Sequence, residues 1–560
     1  MKIKGSEALL ETLIAEGVEC VFGYPGGQAI PIYDALYEYR DRLRHVLVRH
    51  EQGATHAAEG YARVSGRVGV VIVTSGPGAT NTITGIADAM LDSTPIVVIS
   101  GQVPSPMLGT DAFQEVDVIG ITQPITKWAY QIRRAEDITW AVSRAFYIAS
   151  TGRPGPVVID IAKDAQVGLV DYVYQRVDYI RSYQPWPPLE QERIQQAAHL
   201  INRAKRPLAL VGQGVILSGA EEELKMFLEK ANIPAASTML GLSAMPSNYR
   251  LNKGMLGMHG NIGPNRKTNE CDVLIAIGMR FDDRVTGDIK TYAKQAKIIH
   301  LDIDLSEMDK NVKTDVKVLG NAKDTLREIT KLLLPAKHTN WLNSFHADEY
   351  EERKKVIDKE LRLNQGMLRM GEVIRKVSEA TDHKAVLVTD VGQNQMMSVR
   401  YFQFSQTRSL VTSGGLGTMG FGLPAAIGAK IGAPDRTVCL FVGDGGMQMT
   451  LQELGTIMQE NLNIKIILLN NHFLGMVRQW QELFFKERYS FTEMDNPDFV
   501  AIAKAFKIGA REVNKRSDLA TAINEMLNYP GAFLLVAEVE KMSKVYPMVP
   551  VGSCISDMIY

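Results

Sequence analysis

Phe441-Val442-Gly443-Asp444-Gly445-Gly446, answered further along by Leu469-Asn470-Asn471, decides how this chain is read. Residues 438–442 and 464–469 are apolar runs that predict strands buried on both faces of a parallel sheet. Asp444 leaves the end of the first strand and Asn471 the end of the second. One strand–helix–strand unit separates them, so both side chains come to the same sheet edge. A carboxylate and an amide oxygen are hard donors that suit Mg²⁺, which also takes water and phosphate oxygens in octahedral geometry. The glycines clear room for a diphosphate at the helix start. A plainer alternative has Asp444 capping the helix and Asn471 a turn; the spacing and the flanking strands favour the metal.

Outward from this motif, strand and helix patterns alternate along the whole chain. Strands are expected at 46–48, 68–74 and 95–100, then at 208–211, 273–277 and 297–303, then at 385–389, 438–442, 464–469 and 533–536. Helices are expected at 6–15, 52–64 and 79–91. Alternation of this kind implies βαβ units and an α/β class of doubly wound parallel sheets. The rhythm breaks at 165–190, which ends in the stiff Gln184-Pro185-Trp186-Pro187-Pro188, and again at the densely charged 347–362, expected to be a solvated linker helix. The chain has 560 residues, which at about 150 per domain agrees with three α/β domains. They are placed at 1–185, 190–340 and 370–560, with a linker at 341–369.

Composition removes several classes of function. The formal net charge is −1, so no electrostatic footprint for nucleic acid or anionic lipid is present. The four cysteines are widely separated, which argues against a disulfide framework or a structural zinc site. No apolar run reaches membrane-spanning length, and the N-terminus has no signal or transit character, so a cytoplasmic location is expected. The 47 glycines matter by position: they gather where strands end, at 23–27, 75–78, 211–214, 414–417 and 443–446. Each loop alone is as readily a tight turn.

The Gly443-Asp444-Gly445 and Asn470-Asn471 pair resembles the signature of thiamine-diphosphate enzymes. That resemblance implies a glutamate at a strand end of the first block, and Glu51 in Arg49-His50-Glu51-Gln52 stands there. Its carboxylate would bond N1′ of the aminopyrimidine and favour the imino form that accepts the C2 proton. Without the metal motif, Glu51 is an ordinary acid at a helix start.

Longer strings make the resemblance nearly end to end: 23–27, Gly109-Thr110-Asp111-Ala112-Phe113-Gln114-Glu115, 255–260, Arg280-Phe281-Asp282-Asp283-Arg284-Val285-Thr286-Gly287 and 474–480. With these the chain resembles the acetolactate (acetohydroxyacid) synthase catalytic-subunit family. The resemblance implies decarboxylation of pyruvate on thiamine diphosphate and transfer of the two-carbon unit to pyruvate or 2-ketobutyrate, the first common step of branched-chain amino-acid biosynthesis. A 2-ketoacid oxidase or decarboxylase of the same superfamily is the alternative.

It further implies site residues. Mg²⁺ would be held by Asp444, Asn471 and the carbonyl of Phe473. Thiamine diphosphate would meet Tyr24, Gly26, Gly27, Pro77, Asn81, Gln114, Gly392, Gln393, Asn394, Gly417, Met419, Gly445, Gly446, Met447 and Met476. Met419 would be the wedge that bends the cofactor, or else a core gap-filler. Arg284 matches an acceptor-carboxylate clamp, or else an ion pair with Asp282 or Asp283. Trp480 matches an apolar wall for the substrate, or plain core. Gln102, Phe113 and Lys163 match further active-site positions. The middle block resembles an FAD domain, with contacts at Arg153, Gly212, Gly214, Met258, His259, Gly260, Gly278, Arg280, Asp302 and Asp304. Because the net reaction has no redox step, this FAD would be structural. A homodimer or homotetramer and a separate regulatory small subunit are implied as partners. The chain departs from the family at Gln28, where a small residue is common, and at His472-Phe473, where a more polar pair is common.

Overall fold

The apolar runs become the centres of three sheets. In a computed structural model, which describes residues 2–362 and 365–560, each sheet has six parallel strands flanked by helices. The first is ordered Arg44–Leu47, Cys20–Gly23, Gly69–Val73, Ile96–Gln102, Val157–Ala162, Trp128–Ile132. The second runs Asn252–Met255, Ala235–Ser237, Pro207–Val211, Val273–Ile277, Lys297–Asp302, Val316–Leu319. The third runs Leu410–Val411, Val386–Thr389, Val438–Gly443, Ile464–Asn470, Phe533–Glu538, Gly509–Val513. Every residue of Gly69–Val73 and of Ile464–Asn470 is buried, which is why these strands are continuous apolar runs and do not alternate. A small antiparallel pair, Lys2–Lys4 with Leu169–Asp171, stands outside the doubly wound pattern.

In each sheet the order reverses at a switch point, where the chain leaves in opposite directions and a crevice opens; in the first and third sheets the last two strands also exchange places. The reversal falls between Cys20–Gly23 and Gly69–Val73, between Pro207–Val211 and Val273–Ile277, and between Val386–Thr389 and Val438–Gly443. These are the strand ends that carry glycine. At the middle one, Gly214 N–H donates to the Gly278 carbonyl at 2.9 Å, and a Cβ on Gly214 would come within 2.7 Å of the Gly278 Cα.

The first and third blocks share one hydrophobic core, in which Val71 and Val98 join Leu440 and Ile466. Helices Glu51–Ser65 and Gly422–Gly432 form the seam. Phe345, in the expected linker, packs instead into a core of the middle block with Leu274 and Leu210.

Two expectations need correction. The charged segment is not simply a solvated helix. Helix Thr339–Glu352 continues through a wide π turn, Arg353–Ile357, into Asp358–Leu361. Its inner face buries Trp341, Phe345 and Val356, and Glu352 is buried with them. That carboxylate accepts from Asn261 Nδ2 at 2.7 Å, from the Ile262 N–H at 2.8 Å, and from Arg400. The charges fall on both faces because one face meets buried partners. Residues 363–364 of the expected linker lie outside the described residues. Second, the end of the chain does not stay with the third block: Val549 N–H donates to the Met258 carbonyl at 2.8 Å, and Val549 and Ile555 pack in the middle block. Among the described residues, no helix is long and apolar enough to cross a membrane.

Candidate active site

The third-sheet crevice is built on two adjacent parallel strands. Val438–Gly443 ends where Asp444 opens helix Asp444–Thr450, and Ile464–Asn470 ends at Asn471. Asp444 Oδ1 accepts from the Gly445 N–H at 3.0 Å, and Oδ2 from Asn496 Nδ2 at 2.8 Å. Burial pushes the Asp444 carboxyl upward, against the opposing pull of Asn496 and of the Gly445 and His472 N–H groups. His472 has φ +59°, so the turn after Asn471 folds back toward Asp444. Asn471 Nδ2 donates to Gln393 Oε1 at 3.2 Å, which fixes the amide and leaves its oxygen to the turn. A carboxylate and an amide oxygen thus stand side by side, a donor set that fits Mg²⁺. The Phe473 ring lies under Lys541 Nζ, 4.8 Å from the centroid, and near Arg478, so any ligand from this residue is backbone.

Next to the donor pair the glycines line open space. A Cβ on Gly392 or Gly417 would meet nothing nearer than 4.0 Å, and one on Gly443 nothing nearer than 3.3 Å. Gly392 precedes helix Gln393–Tyr401, whose first N–H groups point into this space. Asn394 Oδ1 is buried there without a partner, as a group awaiting a polar ligand would be. Met419 is half-buried, its Cε 3.4 Å from where a Gly445 Cβ would stand. The remaining positions are tied into the protein. Gln393 donates to the Ser543 carbonyl at 2.9 Å. The Met447 side chain lies in the shared core. Gly446 is required by Asp390, whose carboxylate a Cβ would overlap.

The first-sheet crevice holds Glu51, the first residue of helix Glu51–Ser65, capped by His50. Asn81 Nδ2 donates to Glu51 Oε2 at 2.9 Å. Pro77 opens the short helix between them. Gln114 passes so close to Gly76 that a Cβ there would stand 2.8 Å from its carbonyl. Gly26 packs on Thr74, while Gly27 is open, its nearest neighbour Gln114 Oε1 at 3.9 Å. Lys163 Nζ reaches the Gly27 carbonyl at 3.4 Å, and the exposed Tyr24 stands at the rim. Two expected residues do not join them. Gln102 is turned inward, donating to the Val116 carbonyl at 3.0 Å and to Asp160 at 3.2 Å. Phe113 stands 84% exposed on its loop. The departing Gln28 points inward, with Oε1 buried and without a partner.

Between the blocks lies a cavity of about 710 Å³, within the range that binds cofactors. Arg153, Gly214, Met258, His259, Gly278, Arg280 and Asp302 line it, as do Arg284, Gly417, Met476 and Trp480. Gly212, Gly260 and Asp304 lie behind the wall: Asp304 pairs with Arg153 at 3.1 Å, and Gly212 packs on the Gly278 carbonyl. His259 Nδ1 is buried and unpartnered, and burial, with the Arg400 and Arg284 charges, pushes that imidazole down to about 4. An orphaned neutral nitrogen on the wall of such a cavity fits a polar ligand such as a flavin. Arg284 reaches Met258 Sδ at 3.4 Å and lies 3.6 Å from Asp283, so the ion pair and an open guanidinium coexist. Trp480 packs on Phe484 with ring centroids 5.2 Å apart. Among its described lining residues this cavity includes neither Glu51 nor Asp444, which keep to their own crevices.

Two supporting residues carry no signal in the sequence. Asn496 bridges Asp444 and Asn470, and Arg400 donates to the His259 and Gly260 carbonyls at 2.7 and 2.8 Å. Each is distant in sequence from what it supports.

Comparison with known proteins agrees with this architecture. The N-terminal TPP binding domain of the thiamine pyrophosphate enzymes matches residues 3–121, the central domain 194–329, and the C-terminal TPP binding domain 390–537. The acetolactate synthase large subunit of Buchnera aphidicola is 42% identical over 99% of this chain and 98% of its own. The acetolactate synthase isozyme 2 large subunit of Escherichia coli is 42% identical over 100% of this chain and 99% of its own. The acetolactate synthase large subunit of Corynebacterium glutamicum is 44% identical over 100% of this chain and 90% of its own. Likeness at this level runs through all three sheets and every crevice between them, and the chain belongs to the acetolactate synthase large-subunit family of thiamine pyrophosphate enzymes.

Proposed function

We propose that this chain is a catalytically competent acetolactate synthase that joins two 2-ketoacids with loss of CO2. Pyruvate is the donor, and pyruvate or 2-ketobutyrate the acceptor. The observation that carries this reading is that Glu51, Asp444 and Asn471 all stand at strand ends facing switch-point crevices. Thiamine diphosphate, when bound, supplies the carbanion-stabilising chemistry. Glu51, held by Asn81, would accept a hydrogen bond from the pyrimidine ring nitrogen and keep the proton on that nitrogen. Asp444, Asn471 and the Phe473 carbonyl would hold Mg²⁺, and the N–H groups at 392–394 the diphosphate. Arg284 would grip the acceptor carboxylate, with Trp480 as an apolar wall. FAD would fill the 710 Å³ cavity as a structural group. On this reading the first, middle and third blocks divide the pyrimidine, flavin and diphosphate sites. The relatives are named large subunits, which supports a separate small subunit here.

The experiment is Glu51→Gln with product analysis. Cofactor binding is expected to persist while turnover falls roughly 10²–10⁴-fold. Near-normal turnover, or acetaldehyde or peroxide from the unmodified chain in place of acetolactate, would overturn the proposal. Trp480→Leu is expected to lower the 2-ketobutyrate preference about 10-fold, the value of one methylene contact, read in a two-substrate competition.

A further inference from the structure

One buried cluster serves none of the sites above. His56 and Glu59 on helix Glu51–Ser65 and Asp88 on helix Ile83–Leu91 are fully buried, with ligating atoms all within 4.8 Å of one another. Arg63 pairs with Asp92 at 2.6 Å beside them. From the third block, Phe421 packs edge-on to His56 with centroids 5.1 Å apart, and the Asp390 charge faces the same imidazole. The carboxylates Glu59, Asp88, Asp92 and Asp390 thus gather around Arg63, with Arg280 approaching Asp92 beside Gly415.

Hydrogen bonds separate the carboxylates into two kinds. Asp92 accepts from Arg63 and from the Gly414 and Gly415 N–H groups at 2.8 and 2.7 Å. Asp390 accepts from the Val391, Gly420 and Gly422 N–H groups at 2.8, 3.1 and 2.9 Å. Both are surrounded by donors. Glu59 and Asp88 differ: Glu59 Oε2 and Asp88 Oδ2 are buried with no partner. Their other oxygens accept from His56 Nδ1 at 3.0 Å and from Ser413 Oγ at 2.8 Å. Gln52 Nε2 lies 3.4 Å from His56 Nε2, so that nitrogen accepts and Nδ1 donates. Two adjacent carboxyls with bare oxygens in a dry interior cannot both ionise. Burial holds Glu59 well above its ordinary range. It also pushes Asp88 up to about 8, helped by the Glu59 and Asp92 charges and opposed by His56 and Arg63.

The cluster reaches one target. Ser413 Oγ, which donates to Asp88, also accepts from the Thr418 N–H at 2.9 Å. Asp88 and Asp92 together therefore staple the segment from Ser413 to Thr418, and Asp390 takes the Gly420 N–H just beyond. Ser413 to Gly417 wall the large cavity, and Met419 follows.

We infer that the buried Glu59 and Asp88 hold at least one proton between them at neutral pH and that this pair, with the Arg63-paired Asp92, positions the 413–420 segment. These are positioning residues, acting through the segment. Only its consequence for catalysis rests on the reading of Met419 proposed above.

Amide hydrogen exchange of the holoenzyme, corrected for intrinsic pH dependence, tests this. In the unmodified chain, exchange at 413–420 is expected to accelerate as pH rises through about 8, where Asp88 loses its proton. Asp88→Asn, which keeps the neutral shape, is expected to match the unmodified chain at pH 7 and to abolish that acceleration. Asp92→Asn is expected to speed exchange there about 10-fold and to lower kcat/KM. Ser413→Ala removes only the hydroxyl that links Asp88 to the Thr418 N–H and is expected to speed the same exchange; it stands in if Asp92→Asn does not fold. The inference is overturned if Asp88→Asn behaves like Asp92→Asn at pH 7, if Ser413→Ala leaves exchange unchanged, or if the chelator-treated chain retains a stoichiometric divalent metal in this cluster. If Met419→Ala keeps full activity, the cofactor reading fails while the exchange results stand on their own.

Discussion

Asn496 has the clearest consequence of any single side chain outside the expected set. Its amide donates to both Asp444 Oδ2 and Asn470 Oδ1 at 2.8 Å, and its oxygen accepts from Gln448 at 3.0 Å. It therefore fixes the orientation of the carboxylate proposed to hold Mg²⁺. Partners of this kind are worth roughly 10–100-fold in metal affinity. Asn496→Ala is expected to raise the Mg²⁺ concentration for half-maximal activity by about that factor, with thiamine diphosphate binding weakened in parallel. Asn496→Asp is expected to be worse, because it places a second negative charge against Asp444. An unchanged Mg²⁺ titration in both variants would contradict the orientation argument. Asp444 and Asn471 were legible in the sequence because strand ends one unit apart must be neighbours in a parallel sheet. Asn496 was not, since it reaches Asp444 from a loop with no periodic pattern. Gln393 shows a division the sequence does not: its backbone N–H stays in the stretch expected to meet the diphosphate, while its side-chain amide is held by the Ser543 carbonyl, far along the chain.

At the scale of elements, the seam between helices Glu51–Ser65 and Gly422–Gly432 turns on small residues. A Cβ on Gly428 would overlap the Ala57 carbonyl oxygen, and one on Gly60 the Ala425 carbonyl oxygen. In an exposed helix, glycine to alanine is worth about 1 kcal/mol of stability. Here the added methyl meets backbone, which yields only if the helices separate, and overpacking costs about 1–3 kcal/mol or more. Gly428→Ala is therefore expected to destabilise, with its sign opposite to helix propensity, as a fall in the denaturant midpoint. Because the first and third blocks share one core, both should lose structure together. A midpoint unchanged or raised would mean that the seam is looser than its geometry. Sequence pattern located most of the long central strands because burial on both faces leaves continuous apolar runs, although the equally buried Val157–Ala162 was not among those expected. Ala235–Ser237 and Trp128–Ile132 escaped it: the first is very short, and the second is an edge strand of half-buried residues. The charged helix misled for a related reason, since charge predicts solvent only where no buried partner such as Arg400 waits.

For the whole molecule, the decisive fact is the separation of its two equipped crevices. Glu51 is held within the first block by Asn81, and Asp444 within the third by Asn496 and Gly445. The proposed chemistry needs both carboxylates on one cofactor, and a second copy related by a two-fold axis would supply the missing half twice over. Mixing two inactive chains tests this without any structure of the assembly. Glu51→Gln keeps a sound third block, and Asp444→Ala keeps a sound first block. If each site takes Glu51 from one copy and Asp444 from the other, a mixed dimer contains one intact site and one doubly defective site. Random reassortment of equal amounts makes half of the dimers mixed, so activity should recover to about one quarter of the unmodified value. If each site lies within a single chain, every site carries one lesion and the mixture stays as inactive as its parts. The recovery should also depend on reassortment, appearing after the chains are dissociated and reassembled together and not after simple mixing of slowly exchanging dimers. A mixture that remains inactive after verified exchange would place both carboxylates in one copy and overturn the shared-site reading.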